Sequence, residues 1–128
     1  MNAFETTLAK YTPQLTALLR IMAGLLFMEH GMSKFFGFPG AAMPSLPPLL
    51  MLAGVLELAG GLLVALGLFT RPVAFLLAGE MAVAYFMGHF PKDFFPINNG
   101  GDAAILYCFV FLFFAAAGGG LWSLDSKR

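Results

Sequence analysis

Charge is what this chain has least of. Aspartate, glutamate, lysine and arginine make up 11% of its 128 residues, against about 25% in an ordinary soluble domain. A water-soluble monomer of this length exposes much of its surface and needs charge to cover it, so that class is excluded. The seven basic and seven acidic residues cancel, and no basic run is longer than Lys127-Arg128. Nucleic acid, gripped first through its phosphates, finds no electrostatic footprint. A single cysteine, Cys108, cannot close an internal disulfide, and neither a CxxC pair nor a Cys/His zinc set exists. Thiol–disulfide membrane enzymes need cysteine pairs to pass electrons to quinone, so that chemistry is disfavoured too. There is also no nucleotide-binding loop and no recognised metal motif.

Apolar residues take the place of the missing charge. Hydrophobic residues are 59% of the chain, with 15 Phe and 8 Met and a mean hydropathy of +0.83, which makes lipid the expected solvent for most of the surface. A bilayer core of about 30 Å takes about 20 apolar residues as a helix. Four such runs occur, about residues 14–34, 47–69, 72–90 and 102–122. The first follows Pro13, which suits a first helical turn, and dissolves into Gly37, Pro39 and Gly40. Pro44, Pro47 and Pro48 can open the second but not lie inside it. A short Thr70-Arg71 link leads to the third at Pro72, giving a tight antiparallel hairpin. Asn98-Asn99-Gly100-Gly101-Asp102 reads as a loop ending in a helix cap, with Asp102 at the positive helix end, and Trp122 suits the interfacial aromatic belt. The expected fold is all-α, an integral membrane four-helix bundle with short loops, as one domain over residues 1–128.

Arg20, Glu29 and His30 inside the first span, and the lack of a small-residue cleavage site, argue against a cleavable signal peptide. With four spans both termini share a side, which carries Lys10, Arg71, Lys127 and Arg128 against Lys34 and Lys92 opposite. This asymmetry favours cytoplasmic termini, with residues 35–46 and 91–101 facing outward.

An ionised side chain inside a span costs about 2.5–3.5 kcal/mol on insertion scales, so each one there needs a partner, water or the bundle interior. Arg20 and Glu29 lie on opposite faces of the first helix and cannot pair. Arg20 shares a stripe with Gly24, Phe27, Gly31 and Lys34, a surface that lets another helix approach closely. Glu57 sits with Gly54, Gly60 and Gly61 about 15 Å deep, and Glu80 about 12 Å deep from the other side. Arg20, Glu57 and Glu80 can therefore meet as a buried polar network. That network reads either as an ion pair locking the packing or as a proton-accepting acid pair beside an arginine.

His30 and His89 approach the outer face near the ends of the first and third helices, with Lys34 and Tyr85 one turn away and Tyr107 and Cys108 entering at similar depth. Imidazole, lysine, tyrosine and acid together can bind and protonate a quinone carbonyl. Interfacial side chains with polar ends in water and bis-histidine haem ligation are the other readings. The Phe-rich stretch from Phe86 to Phe95 reads as lipid or loop packing rather than a cofactor box.

The order of these pieces resembles the DoxX family of small membrane proteins. Arg20, Gly24, Glu29-His30-Gly31 and Lys34 are similar to that family's first-helix pattern. Glu57-Leu-Ala-Gly60-Gly61 and Gly67-Leu68-Phe69-Thr70-Arg71 resemble its second helix and hairpin. Asn99-Gly100-Gly101-Asp102, Leu106-Tyr107-Cys108 and Gly118-Gly119-Gly120-Leu121-Trp122-Ser123-Leu124-Asp125 resemble its ending. The resemblance runs from about Leu15 to Asp125. It implies four transmembrane helices in a prokaryotic plasma membrane and an association with redox systems, including quinone-linked sulfur oxidation and defence against quinones or oxidative stress.

The functional expectation is a redox-associated subunit that binds a quinone or similar aromatic oxidant near the outer leaflet through His30, Lys34, Tyr85, His89 and Tyr107. No residue is assigned as catalytic and no metal is expected. Electrons must then come from a partner or bound cofactor, so a membrane redox partner or a homo-oligomer is expected. A non-catalytic scaffold docking other helices and a small-solute or proton transporter are the competing classes. For a transporter built of repeats the chain is short unless it oligomerises.

Overall fold

The computed structural model describes residues 1–40 and 45–127, and over these the chain is helical with no strand. Pro44 and Arg128, which entered the expectations on helix opening and charge, lie outside the described residues. The first element, α1 (Ala3–Ala9), was not anticipated. It is an exposed helix closed by a capping box, in which Asn2 Oδ1 accepts from the Glu5 amide and Glu5 accepts from the Asn2 amide, both at 2.8 Å. The signal was present in the sequence as an Asn-x-x-Glu spacing.

Four apolar helices follow. They are α2 (Thr12–Phe36), α3 (Pro48–Leu66), α4 (Thr70–Lys92) and, after the single turn α5 (Pro96–Asn99), α6 (Asp102–Ala117). The first three are long and apolar enough to cross a bilayer, and α6 completes an all-α membrane bundle. At 16 residues α6 rises about 24 Å, shorter than the expected span to residue 122. The reason is Gly118, whose φ of 80° and ψ of −171° belong to a region only glycine enters cheaply. The chain turns back there instead of continuing.

Other boundaries move for similarly local reasons. The α3–α4 link is Gly67–Phe69 rather than Thr70-Arg71, because Gly67 takes a left-handed conformation (φ 69°) and ends α3 early. α4 then starts at Thr70, two residues before Pro72. Asp102 is the first residue of α6 and makes no side-chain cap. The acceptor there is Asn99 Oδ1, which takes the Gly101 amide at 2.7 Å.

Small residues bring α2 and α3 together along the stripe anticipated from the sequence. A Cβ on Gly24 would lie 2.6 Å from the Gly61 carbonyl and the Ala65 nitrogen, and one on Gly31 would lie 2.7 Å from the Gly54 carbonyl and the Leu58 nitrogen. The backbones touch, which is how helices associate where lipid offers no hydrophobic drive. α4 packs on α6, and the core is Ala74, Leu77, Ala78 and Met81 against Ala104, Phe111 and Phe114, completed by Phe27 and Val64. Phe75, Phe86, Leu106 and Phe109 stand exposed on the outside, as lipid-facing residues must.

Both π turns in the bundle carry polar residues. One, Leu56–Gly60, lies inside α3 and holds Glu57; the other, Tyr85–His89, lies inside α4 and holds Tyr85 and His89. A π turn opens the helical ladder at one point and is often found at functional positions.

Candidate functional site

Three polar centres divide the residues singled out in the sequence. The first, at the end bearing both termini, belongs to Arg20. This side chain is completely buried. Its Nε donates to the Val64 carbonyl at 3.0 Å, Nη1 to the carbonyls of Gly119 and Leu121 (3.0 Å to the latter), and Nη2 to the Trp122 carbonyl at 2.9 Å. The backbone that folds back after Gly118 thus wraps the guanidinium.

Asp125 closes the wrap. Its two carboxylate oxygens accept the amides of Phe69 and Thr70, each at 2.9 Å, and its own amide donates to the Gly67 carbonyl at 2.8 Å. That carboxylate caps the start of α4, where the positive helix end favours it, and compensates the charge of Arg20. Gly67 is pressed against Ser123. A cleft of about 380 Å³ beside this clasp is lined by Thr70, Arg71, Gly118, Gly119 and Ser126. The three motifs that looked separate in the sequence, on the first helix, the hairpin and the tail, therefore meet around one arginine.

The second centre lies in the middle of the bundle and corrects the expected network of Arg20, Glu57 and Glu80. Arg20 is not in it. Lys34 takes that place, its Nζ donating to Glu57 Oε1 at 2.6 Å. Lys34 starts near the opposite end of α2, but its four-carbon stem lets the ammonium reach inward. Glu57 is buried, and Glu80 of α4 comes within side-chain hydrogen-bonding distance of it. Glu80 Oε1 is buried and accepts no hydrogen bond from any described residue.

The third group stands at the loop end and falls into two clusters. In one, His30 of α2 lies edge-on to Tyr107 of α6, with ring centroids 5.8 Å apart. Tyr107 in turn stacks on Phe111 at 5.8 Å and contacts Phe27 at 5.1 Å, forming an aromatic ledge between α2 and α6. In the other, Tyr85 stacks on His89 at 6.3 Å, and the buried Asn99 donates to Tyr85 Oη at 3.2 Å and to the Asp93 carbonyl at 3.0 Å. Asn99 organises this cluster, a role that its place in a loop and in the Asn99-Gly100-Gly101-Asp102 motif does not announce. Among the described residues no hydrogen bond or ring contact joins the two clusters, and Lys34 turns inward to Glu57 instead of joining either.

The two histidines share one chemical feature. His30 Nδ1 lies 3.0 Å from the Leu26 carbonyl, and His89 Nδ1 lies 3.0 Å from the Asn99 carbonyl. A carbonyl can only accept, so each Nδ1 carries a proton, and Nε2 is left as the second site, a lone pair in the neutral ring and a donor in the imidazolium. The rings are oriented by these bonds, as a ligand-binding imidazole requires.

With this geometry in hand, comparison with known proteins gives consistent matches. The sequence model of the DoxX family matches residues 15–90. A protein of Haemophilus influenzae that carries only the name "Uncharacterized protein" is 46% identical over 127 residues, covering 94% of this chain and 95% of its own. The "Inner membrane protein YphA" of Escherichia coli is 33% identical over 129 residues, covering 90% of this chain and 91% of its own. The "Putative oxidoreductase CatD" of Bacillus subtilis is 41% identical over 70 residues, about half of each chain. No solved structure gives a significant match.

Proposed function

Because this chain belongs to the DoxX family of membrane proteins, we propose that it is a redox-associated membrane subunit binding a quinone or similar aromatic oxidant at the loop end, near the outer leaflet. The observation that carries this reading is His30 against Tyr107. An exposed imidazole, with Nδ1 fixed on a carbonyl and Nε2 available, stands at the edge of an aromatic ledge built by Phe27, Tyr107 and Phe111. A quinone ring is planar and apolar with two carbonyl oxygens, so it needs a stacking face and a hydrogen-bonding group at its rim. Half-buried Tyr107, backed by the buried rings of Phe27 and Phe111, offers the first through offset or edge contacts. Protonated Nε2 donates to a quinone oxygen, and neutral Nε2 accepts from a quinol hydroxyl. The name of the Bacillus subtilis relative, "Putative oxidoreductase CatD", supports a redox setting. Electrons come from a partner, since the chain has no dithiol to supply them.

A photoreactive quinone analogue, added to protein purified gently in lipid nanodiscs, tests it. Crosslinks should map to the peptides carrying His30 and Tyr107, excess unlabelled quinone should compete them away, and His30→Ala should reduce them about tenfold, as losing a contact worth about 1.4 kcal/mol does. Labelling that quinone does not compete, or that maps only to lipid-facing positions such as Phe75, would overturn the reading.

A second reading, a membrane scaffold, is favoured by Gly79 and Gly88 of α4. Both are exposed, and a Cβ on either would meet nothing within 4 Å. A small residue left open on a lipid-facing helix is suited to close approach by another helix, whether of a partner protein or of a second copy. A stoichiometric membrane partner, co-purifying with wild type and lost on Gly79→Leu, is its expected signature.

A further inference from the structure

The centre formed by Lys34, Glu57 and Glu80 is not used by the aromatic site and does not depend on it. We propose that it is a proton-exchange site, with Glu57 and Glu80 holding one proton between them inside the membrane and releasing it toward the loop end past Lys34. The argument begins with depth. Glu57 is nine residues from each end of α3, so about 14 Å of helix separates it from either side. Bulk water does not reach such a position in a closed bundle, and polar groups there are costly enough to mark pathways.

Next comes the hydrogen-bond inventory. Two ionised carboxylates only accept, so Glu57 and Glu80 in side-chain contact need a proton between them. Charge counting agrees. One ammonium and two carboxyl groups are neutral with that single proton, and carry a net negative charge in an apolar core without it. No further charged group changes the count. Glu29 on α2 is exposed, as is His30, and α6 contributes no ionised side chain beyond Asp102 at its first position.

Lys34 makes the site able to exchange. Its side chain is 21% accessible against 4% for Glu57, Glu80 being part-buried as well, and it spans from the loop end to the acid pair. When the proton leaves, an O–H bond of the carboxyl pair breaks and the proton passes to water at the loop end. Two carboxylates then face one ammonium. Lys34 has three donors on a rotatable stem, and Glu80 Oε1, buried and accepting no hydrogen bond, is an acceptor it can serve once the shared proton has gone. The π turn at Leu56–Gly60 gives Glu57 a backbone with an open ladder position, where water can enter.

A hydrophobic carbodiimide, which modifies protonated carboxyl groups in membranes, reads the proposal directly on the full chain in nanodiscs. Mass mapping should find the adduct on Glu57 or Glu80 and not on exposed Glu5, with labelling falling at least tenfold from mildly acidic to alkaline pH. Lys34→Met should carry the labelling to more alkaline pH, because the ammonium no longer favours the doubly ionised pair. In infrared spectra the protonated-carboxyl band should shift on transfer to deuterated water and be absent in Glu80→Gln, whose amide can still donate to Glu57 and maintain the fold. Absence of the adduct from both acids in folded protein would overturn the proposal. So would a carboxyl band that neither titrates nor exchanges, since that describes a fixed structural proton.

Discussion

Arg20 shows how a single residue can be legible in its placement and illegible in its partner. Helical period puts it on the same stripe as Gly24 and Gly31, and it is buried there, as expected. Its partners are carbonyls, three of them about a hundred residues away in the tail. Every residue has a carbonyl, so no side-chain pattern announces which ones will turn inward. Lys34 illustrates the converse. Sequence places its Cα near the loop end, but only packing decides whether a long stem points its ammonium to water or back into the bundle.

These assignments change what mutations should do. Arg20→Leu strips four carbonyls of their donor, at about 1–3 kcal/mol for each that stays buried and unpaired, so a large fall in thermal midpoint in detergent is expected. Arg20→Lys should recover little of it, because a compact ammonium cannot span carbonyls that a planar fork reaches. In double-mutant cycles Arg20→Leu and Glu57→Gln should be additive within about 0.5 kcal/mol, whereas Lys34→Met and Glu57→Gln should couple by more than that. The reverse pattern would restore the arginine–glutamate pairing that the structure rejects.

At the scale of elements, the glycines of α2 and α3 were readable because a helix face bearing only small residues has one common use in lipid. Gly24→Ala should show it. The added carbon meets backbone atoms of Gly61 and Ala65 at 2.6 Å, and backbone cannot move aside as a side-chain tip can, so folded yield should drop. Gly79→Ala, where nothing lies within 4 Å, should leave yield and melting unchanged. Equal effects from the two would mean that helix propensity rather than contact governs these positions. The ends of elements were harder to read. Leu121 and Trp122 follow the glycines, so hydropathy extends α6 to residue 122, whereas Gly118-Gly119-Gly120 is itself a helix-stop signal, and the backbone angles of Gly118 show the reversal that feeds the Arg20 clasp. α1 escapes hydropathy because a seven-residue helix of mixed polarity is far shorter than a membrane span, although Asn2 and Glu5 carry its capping signal.

For the whole molecule the open question is direction across the membrane, and the structure sharpens the charge argument for it. Alternating helices put Lys10, Arg71 and Lys127 at the end with the termini, and Lys34 and Lys92 at the other. Lys34, however, is spent on Glu57 inside the bundle and contributes little to the loop-end surface. Lys92 is then the one lysine or arginine left there among the described residues, against three at the opposite end. Basic residues in short loops are retained on the cytoplasmic side, so the termini are expected inside, with the His30 and Tyr107 ledge toward the outer leaflet. Reporter cysteines in a Cys108→Ser background decide it. Phe38→Cys and Asn98→Cys should react with a membrane-impermeant maleimide in intact cells, and Thr6→Cys and Lys127→Cys only after lysis. Labelling of the terminal pair in intact cells would place the Arg20 clasp outside and the aromatic ledge on the cytoplasmic face. The oxidant would then have to be reached from the cell interior, and the proton leaving Glu57 and Glu80 would go there too.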